Sequence, residues 1–172
     1  LYRSQRRGGK GVTAMGTRED DFVERLFVAS THHTFLFFSN LGKVYWCKCY
    51  DIPQASRLSL GKAVVNLLNM EEQERMTTVL AVPEFAPGKY VLMATRNGLV
   101  KKTDLMSYSR PRSGGIIAIN LLEGDELIAA HITDGTLNVF LGSAEGKAIR
   151  FHESDVRASG RVATGAVSYT HL

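Results

Sequence analysis

The sequence predicts an all-β protein assembled from repeated four-stranded blades. Three observations carry that prediction. Apolar residues alternate with a period of two along nearly the whole chain, and no amphipathic helix stands out. Glycine-centred turn signals punctuate the apolar runs at Asn40-Leu41-Gly42, Pro87-Gly88, Asn97-Gly98, Asp134-Gly135 and Glu145-Gly146. The same succession of strand, turn and strand returns at intervals of about 50 residues, a spacing typical of propeller-type blades. A length of 172 residues allows one domain with a substantial core, and an apolar fraction of 44% is ordinary for a globular chain.

Each element follows from its residues. Arg25–Thr31 and the aromatic run Thr34–Ser39 read as strands, and the turn at Gly42 leads into Lys43–Tyr50. Ala63–Leu68 follows Gly61, and the β-branched run Met76–Val82 follows a short polar loop. Glu71–Met76 is too short for a stable helix and reads as the loop into that strand. Tyr90–Thr95 and Leu99–Asp104 flank Asn97-Gly98 as a hairpin. Ile116–Leu122 and Glu126–Ile132 come next, and Leu137–Gly142 and Lys147–His152 form a last hairpin around Glu145-Gly146.

Stacking the segments exposes the repeat. The hairpin glycines lie 98 − 42 = 56 and 146 − 98 = 48 residues apart. A second element, Gly61-Lys-Ala-Val-Val-Asn-Leu-Leu, returns as Gly115-Ile-Ile-Ala-Ile-Asn-Leu-Leu after 115 − 61 = 54 residues. The units run roughly Gly11–Pro53, Gly61–Met106 and Gly115–Val156, with a fourth beginning near Gly165, inside one domain of residues 1–172. A lone blade buries only part of its two faces, so such units stack on one another.

Lysine plus arginine exceed aspartate plus glutamate by 21 − 17 = 4, and the excess is clustered. The heptapeptide Gln5-Arg6-Arg7-Gly8-Gly9-Lys10-Gly11 combines three cations with glycines that let backbone approach a ligand, a chemistry suited to phosphate. Alone it also reads as a solvated linker. The repeat argues against that. Arg7 stands four residues before Gly11, Arg57 four before Gly61 and Arg161 four before Gly165, while Arg110 and Arg112 flank the remaining slot. Cations kept in register around stacked blades form a track for a curved polyanion. Lys43, Lys48, Lys62, Lys101, Lys102, Lys147 and Arg150 are further candidates for that rim, each with the alternative of a charged strand edge that blocks aggregation.

Other chemistries find little support. No apolar run reaches the roughly 18 residues of a membrane helix, and the polar, basic start carries no secretory signal. Cys47 and Cys49, two apart on one face of a strand, suit a reduced, cytoplasmic protein better than a disulfide. With His32 and His33 they match no standard zinc spacing. There is no Walker loop and no nucleophile elbow. The acid pairs Asp20-Asp21 and Glu71-Glu72 read as loops or solvated turns.

The heptapeptide resembles the gyrase box that opens the DNA gyrase A C-terminal domain family. Asn66-Leu67-Leu68, Met93-Ala94-Thr95, Gly98–Thr103, Gly124–Ile128 and Ser143–Lys147 resemble that family's repeats, and the resemblance runs from about Tyr2 to Gly165. It implies a β-pinwheel, a disc normally of six blades, of which this chain supplies about three as a fragment without the cleavage core. It implies double-stranded DNA wrapped around the basic rim with little base reading. The wider assembly would be an A2B2 complex of gyrase A with gyrase B that introduces negative supercoils with ATP. ATP and magnesium would act elsewhere in that enzyme, so no cofactor is expected in this segment. The family's catalytic tyrosine lies upstream, so none of Tyr2, Tyr45, Tyr50, Tyr90, Tyr108 or Tyr169 takes that role. The box also joins first and last blades in the family. The related topoisomerase IV domain, whose box is absent or degenerate, and a protein-interaction propeller are the alternatives. The ending Ala166–Leu172 departs from the family pattern.

Overall fold

The computed structural model describes residues 4, 6–11, 17, 22–23, 25–56 and 59–167. Among these, ten strands occur: β1 (Thr34–Ser39), β2 (Lys43–Lys48), β3 (Met76–Val82), β4 (Tyr90–Thr95), β5 (Leu99–Asp104), β6 (Ile116–Ile117), β7 (Leu127–Thr133), β8 (Asn138–Gly142), β9 (Ala148–His152) and β10 (Ala166–Val167). The helical content is four 3-10 segments of three or four residues, at Cys49–Asp51, Val64–Asn66, Leu105–Tyr108 and Glu153–Asp155.

Three hairpins organise the fold, and they superpose in sequence. The turn closing each is held by a backbone bond, Gly42 N to Ser39 O, Gly98 N to Thr95 O and Gly146 N to Ser143 O. The 3-10 segment after each hairpin is tied back in the same way, with Cys49 N donating to His33 O, Leu105 N to Lys89 O and Glu153 N to Leu137 O. The first sheet has the order β3-β1-β2-β6 and the second β10-β5-β4-β7, while β8 and β9 pair alone. All named ladders are antiparallel, and both β3 on β1 and β7 on β4 slip register at the hairpin turn, at Phe38/Ser39 and Ala94/Thr95.

Each four-stranded sheet is assembled across the sequence units. β6 follows the second hairpin in sequence yet pairs with β2, aligning Val44 with Ile116. β10 follows the third hairpin yet pairs with β5, aligning Val100 with Ala166. The entry glycines permit this. A Cβ on Gly115 would stand 2.8 Å from the Tyr45 ring, and one on Gly165 would stand 2.9 Å from Val100 O.

The strand pleat divides each hairpin between two faces. Leu36, Phe38 and Val44 of the first sheet meet Val91, Met93, Leu127 and Ala130 of the second in the main core. The opposite face of the first sheet, with Phe35, Phe37, Tyr45 and Cys47, is covered by Leu68 and flanked by Ala29, Val64 and Leu67.

Several expected strands differ. Arg25–Thr31 forms none, and Ala63–Leu68 becomes the 3-10 turn Val64–Asn66. In both complete sheets the segments at these repeat positions pair with a hairpin, and the hairpin at the corresponding place for these two would lie before residue 25, where none occurs among the described residues. Lys43–Tyr50 ends at Lys48, so Cys49 belongs to a 3-10 turn and not to the strand face of Cys47. Ile116–Leu122 keeps only two residues in ladder. Glu126–Ile132 starts and ends one residue later, Leu137–Gly142 starts at Asn138, and Lys147–His152 starts at Ala148. The loop before Met76 is as expected.

Candidate nucleic-acid interface

The arginine register corresponds to a recurring turn. Gly9 N donates to Arg6 O, Ser59 N to Ser56 O and Ala163 N to Gly160 O, at 2.9, 3.0 and 3.1 Å. In each case the acceptor lies five residues and the donor two residues before the entry glycine. Arg7 and Arg161 are therefore the second residues of equivalent turns. Arg57 occupies that slot in sequence but lies, with Gln5, outside the described residues. The remaining repeat shifts its turn, with Gly115 N donating to Arg112 O. Pro111 just before Arg112 lacks an N–H and fixes φ, which suits such a shift. Within the heptapeptide, Arg6, Arg7 and Lys10 are exposed, and Gly8 and Gly11 hold φ of 82° and 71°. Gly9 supplies the turn's donor.

Three rim candidates converge. Lys43, Arg112 and Arg161 line one cleft of about 300 Å³ beside β6. Strand exchange creates this grouping, because β6 brings the turn at Arg112 onto β2. The Arg161 guanidinium donates to Ile117 O at 3.3 Å, which aims it across the same strand. Lys43 reaches Glu71 at 2.5 Å, and this bond raises its pKa above the ordinary lysine value. Glu71 therefore competes with any phosphate for Lys43, leaving in the cleft the exposed Arg112 and the half-buried Arg161, whose guanidinium already bonds Ile117 O.

The other candidates separate. Lys62, Arg110 and Lys147 are exposed. Lys48 donates to Thr34 Oγ1 at 2.8 Å across the hairpin, and Arg150 reaches Asn138 at 3.4 Å across the third. Lys101 and Lys102 do not belong to the rim. They are 1% and 7% exposed. Lys101 Nζ donates to Ala118 O at 2.7 Å and also to Arg161 O. Lys102 Nζ donates to Glu153 O at 2.6 Å and lies over the Tyr90 ring. These ammonium groups are spent on backbone carbonyls that neighbouring units bring in. Sequence reasoning also passed over exposed Arg75 and Arg96, which flank Glu126 at 3.9 Å. The signal for Arg96 was its place in the turn before Gly98.

No group of three His, Cys, Asp or Glu side chains able to hold a metal occurs among the described residues. Both cysteines are free thiols, and burial pushes the Cys47 thiol up. No helix among the described residues is long and apolar enough to cross a membrane. Asp20, Asp21, Tyr2 and Tyr169 lie outside the described residues.

A family model described as DNA gyrase C-terminal domain, β-propeller, matches residues 1–30, 33–83, 89–134 and 137–165. DNA gyrase A of Klebsiella oxytoca is 55% identical over 95% of the chain, and that of Escherichia coli K12 is 51% identical over the same share. The chain spans 19% of the length of each of these relatives. A solved C-terminal domain of DNA topoisomerase IV superposes with a TM-score of 0.74 at 32% identity, over 80% of this chain and 43% of that one. A solved DNA gyrase A C-terminal domain superposes with a TM-score of 0.72 at 25% identity, over 96% of this chain and 53% of that one.

Proposed function

The chain belongs to the DNA gyrase C-terminal domain family, and from that premise we propose that it binds double-stranded DNA along its basic rim, bending it with little regard to sequence. The supporting observation is the repeated turn that carries Arg7 and Arg161 in equivalent positions. Phosphate contact is the suitable mode, because turn arginines such as the exposed Arg7 and the half-buried Arg161 offer charge and forked donors, and no groove-reading helix occurs among the described residues. Bending a 20–30 bp site through 40–90° costs on the order of 1–6 kcal/mol. Several arginine contacts along the rim offset that cost.

In this reading the segment is not an enzyme by itself. It wraps DNA for a type IIA topoisomerase that introduces negative supercoils, in the cytoplasm, as part of an A2B2 assembly. ATP and magnesium act elsewhere in that enzyme. The topoisomerase IV reading draws on the 32% identity to that enzyme's solved domain. The intact heptapeptide and the 55% identity to a DNA gyrase A favour gyrase.

The test is a DNA-binding titration against salt. Each lost phosphate contact lowers the slope of log K against log[salt] by about 0.9. Replacing Arg7, Arg57 and Arg161 together by alanine should flatten the slope by about three such steps and weaken all duplex sequences alike. In the full-length protein, Arg6, Arg7 and Lys10 to alanine should abolish wrapping while leaving relaxation intact. Unchanged slope and unchanged supercoiling would refute the reading.

A further inference from the structure

The turn that carries Arg161 is held at each of its four carbonyls. Gly160 O accepts from Ala163 N, Arg161 O from Lys101 Nζ, Val162 O from Asn120 Nδ2 and Ala163 O from Asn120 N. The last three donors lie far from the turn in sequence. Lys101 stands on β5, and Asn120 stands on the segment that leaves β6.

Backbone and side chain of Arg161 meet the same short stretch of chain. The guanidinium donates to Ile117 O at 3.3 Å. Lys101 Nζ, while holding Arg161 O, donates to the next carbonyl, Ala118 O, at 2.7 Å. Ala118 N in turn donates to Gly42 O at 2.8 Å, so a bonded series runs from the first hairpin turn to Arg161.

We propose that Lys101 and Asn120 are positioning residues for DNA binding, which fix the Arg161 turn so that its guanidinium meets phosphate in the cleft that Arg112 also lines. This role rests on the rim contact proposed above. An arginine on a loose turn must lose backbone and side-chain freedom when it meets phosphate, and one on a turn already held loses less.

Lys101 makes no DNA contact of its own. It is 1% exposed, and both of its acceptors are carbonyls. A methionine would fill similar space without the cost of burying an ammonium. What the amine adds is its two bonds, one to the Arg161 turn and one beside the carbonyl that the guanidinium touches. The repeat shows that this use is particular to the second hairpin. Tyr45 holds the same place in the first, since 101 − 45 = 56, and its hydroxyl donates to Glu74. Asp125 stands two residues before β7 as Glu74 stands two before β3, but it accepts from Asn97 N and Glu126 N. The Lys101 amine is turned instead to the arginine turn.

A salt titration of duplex binding by the full-length protein tests this. Arg161→Ala should lower the steepness of log K against log[salt] by about 0.9, one phosphate contact. Lys101→Met should lower it by a similar step although the residue is enclosed. Asn120→Ala removes one of that residue's two bonds to the turn and should lower it by a fraction of a step. Neither change should lower it further once Arg161→Ala is present, whereas a charge acting through space would. Asn120 is exposed, so its result stands should Lys101→Met fail to fold. Wild-type steepness in Lys101→Met and Asn120→Ala, beside a loss in Arg161→Ala, would overturn the positioning role alone. Losses that add to that of Arg161→Ala would do the same. Unchanged steepness in Arg161→Ala would overturn the phosphate contact at this turn, and the positioning role with it.

Discussion

Lys101 shows a strand lysine put to structural use. Its ammonium is enclosed and donates to Ala118 O and Arg161 O, carbonyls that lie 17 and 60 residues away. Burial, aided by the nearby Arg161 charge, brings its pKa down from 10.5 to about 8. The sign of the pH dependence follows from linkage. Below pH 8 native and unfolded chains both carry the proton. Between about 8 and 10.5 the unfolded chain keeps a proton that the native lysine has lost, so stability rises with pH. The rise is at most about 1.4 kcal/mol per pH unit. From about pH 9 the Cys47 thiol acts oppositely, because burial raises it, and above pH 10 the tyrosines do too, since burial pushes Tyr108 up to about 12 and also raises Tyr45. Urea unfolding should therefore give a stability that climbs from pH 8 to 9 and declines above pH 10, and Lys101→Met should abolish the climb. A flat wild-type profile, or an unaltered climb in the variant, would contradict this. The sequence placed Lys101 and Lys102 on the rim because consecutive lysines in a strand normally leave at least one in water. Their carbonyl partners belong to later units, so only the exchange of strands reveals that both are buried. Arg7 and Arg161 were legible because their register needs only local sequence.

Among the elements, the hairpin turns and the connecting loops carry different loads, as the turn glycine Gly42 and the loop glycine Gly88 show. Gly42 has φ of +75°, and a Cβ there would stand 2.5 Å from Ile119 O, where the chain leaves β6. Gly42 O also accepts bonds from Ala118 N and Ile119 N. Gly88 has nearly the same φ, +77°, and a Cβ there would have nothing within 4 Å. Gly88→Ala should lose only the left-handed backbone penalty, about 1–2 kcal/mol. Gly42→Ala should lose that and, because backbone must move, about 1–3 kcal/mol more. Equal losses in urea titrations would mean that the segment after β6 is not held tightly to the first hairpin. This exchange also explains which strands were legible. The sequences of the hairpin strands, such as Thr34–Ser39 and Leu99–Asp104, contain both partners and a turn, so reading them needs no distant residue. Residues 25–31 and 63–68 have equally strand-like sequences but, among the described residues, no hairpin edge to pair with, and pattern alone does not report a partner's absence. The early end of β2 before Cys49 and the short β6 arise similarly, where a 3-10 turn or a crossing segment replaces the ladder.

Across the whole molecule, stability should be uneven, because the three hairpins are enclosed to different degrees. The first two sheets share the main core and exchange a strand, so they should unfold as one cooperative unit. Among the described residues the third hairpin pairs with no further strand, and such a hairpin alone is marginal in water. A cavity of about 860 Å³ separates part of it from the second sheet, lined by Lys101, Ile149 and Phe151 among others. Its attachment depends on Glu153, whose backbone N–H donates to Leu137 O, whose side chain accepts from Leu137 N and whose carbonyl accepts from Lys102. In dilute protein, native-state hydrogen exchange should therefore show β8 and β9 opening at a small fraction of the global free energy, while β1, β2, β4 and β5 exchange only through global unfolding. Lys102→Met removes the donor from the second sheet and should speed exchange in β8 and β9 severalfold without changing β1. Uniform protection across all three hairpins would contradict this ordering.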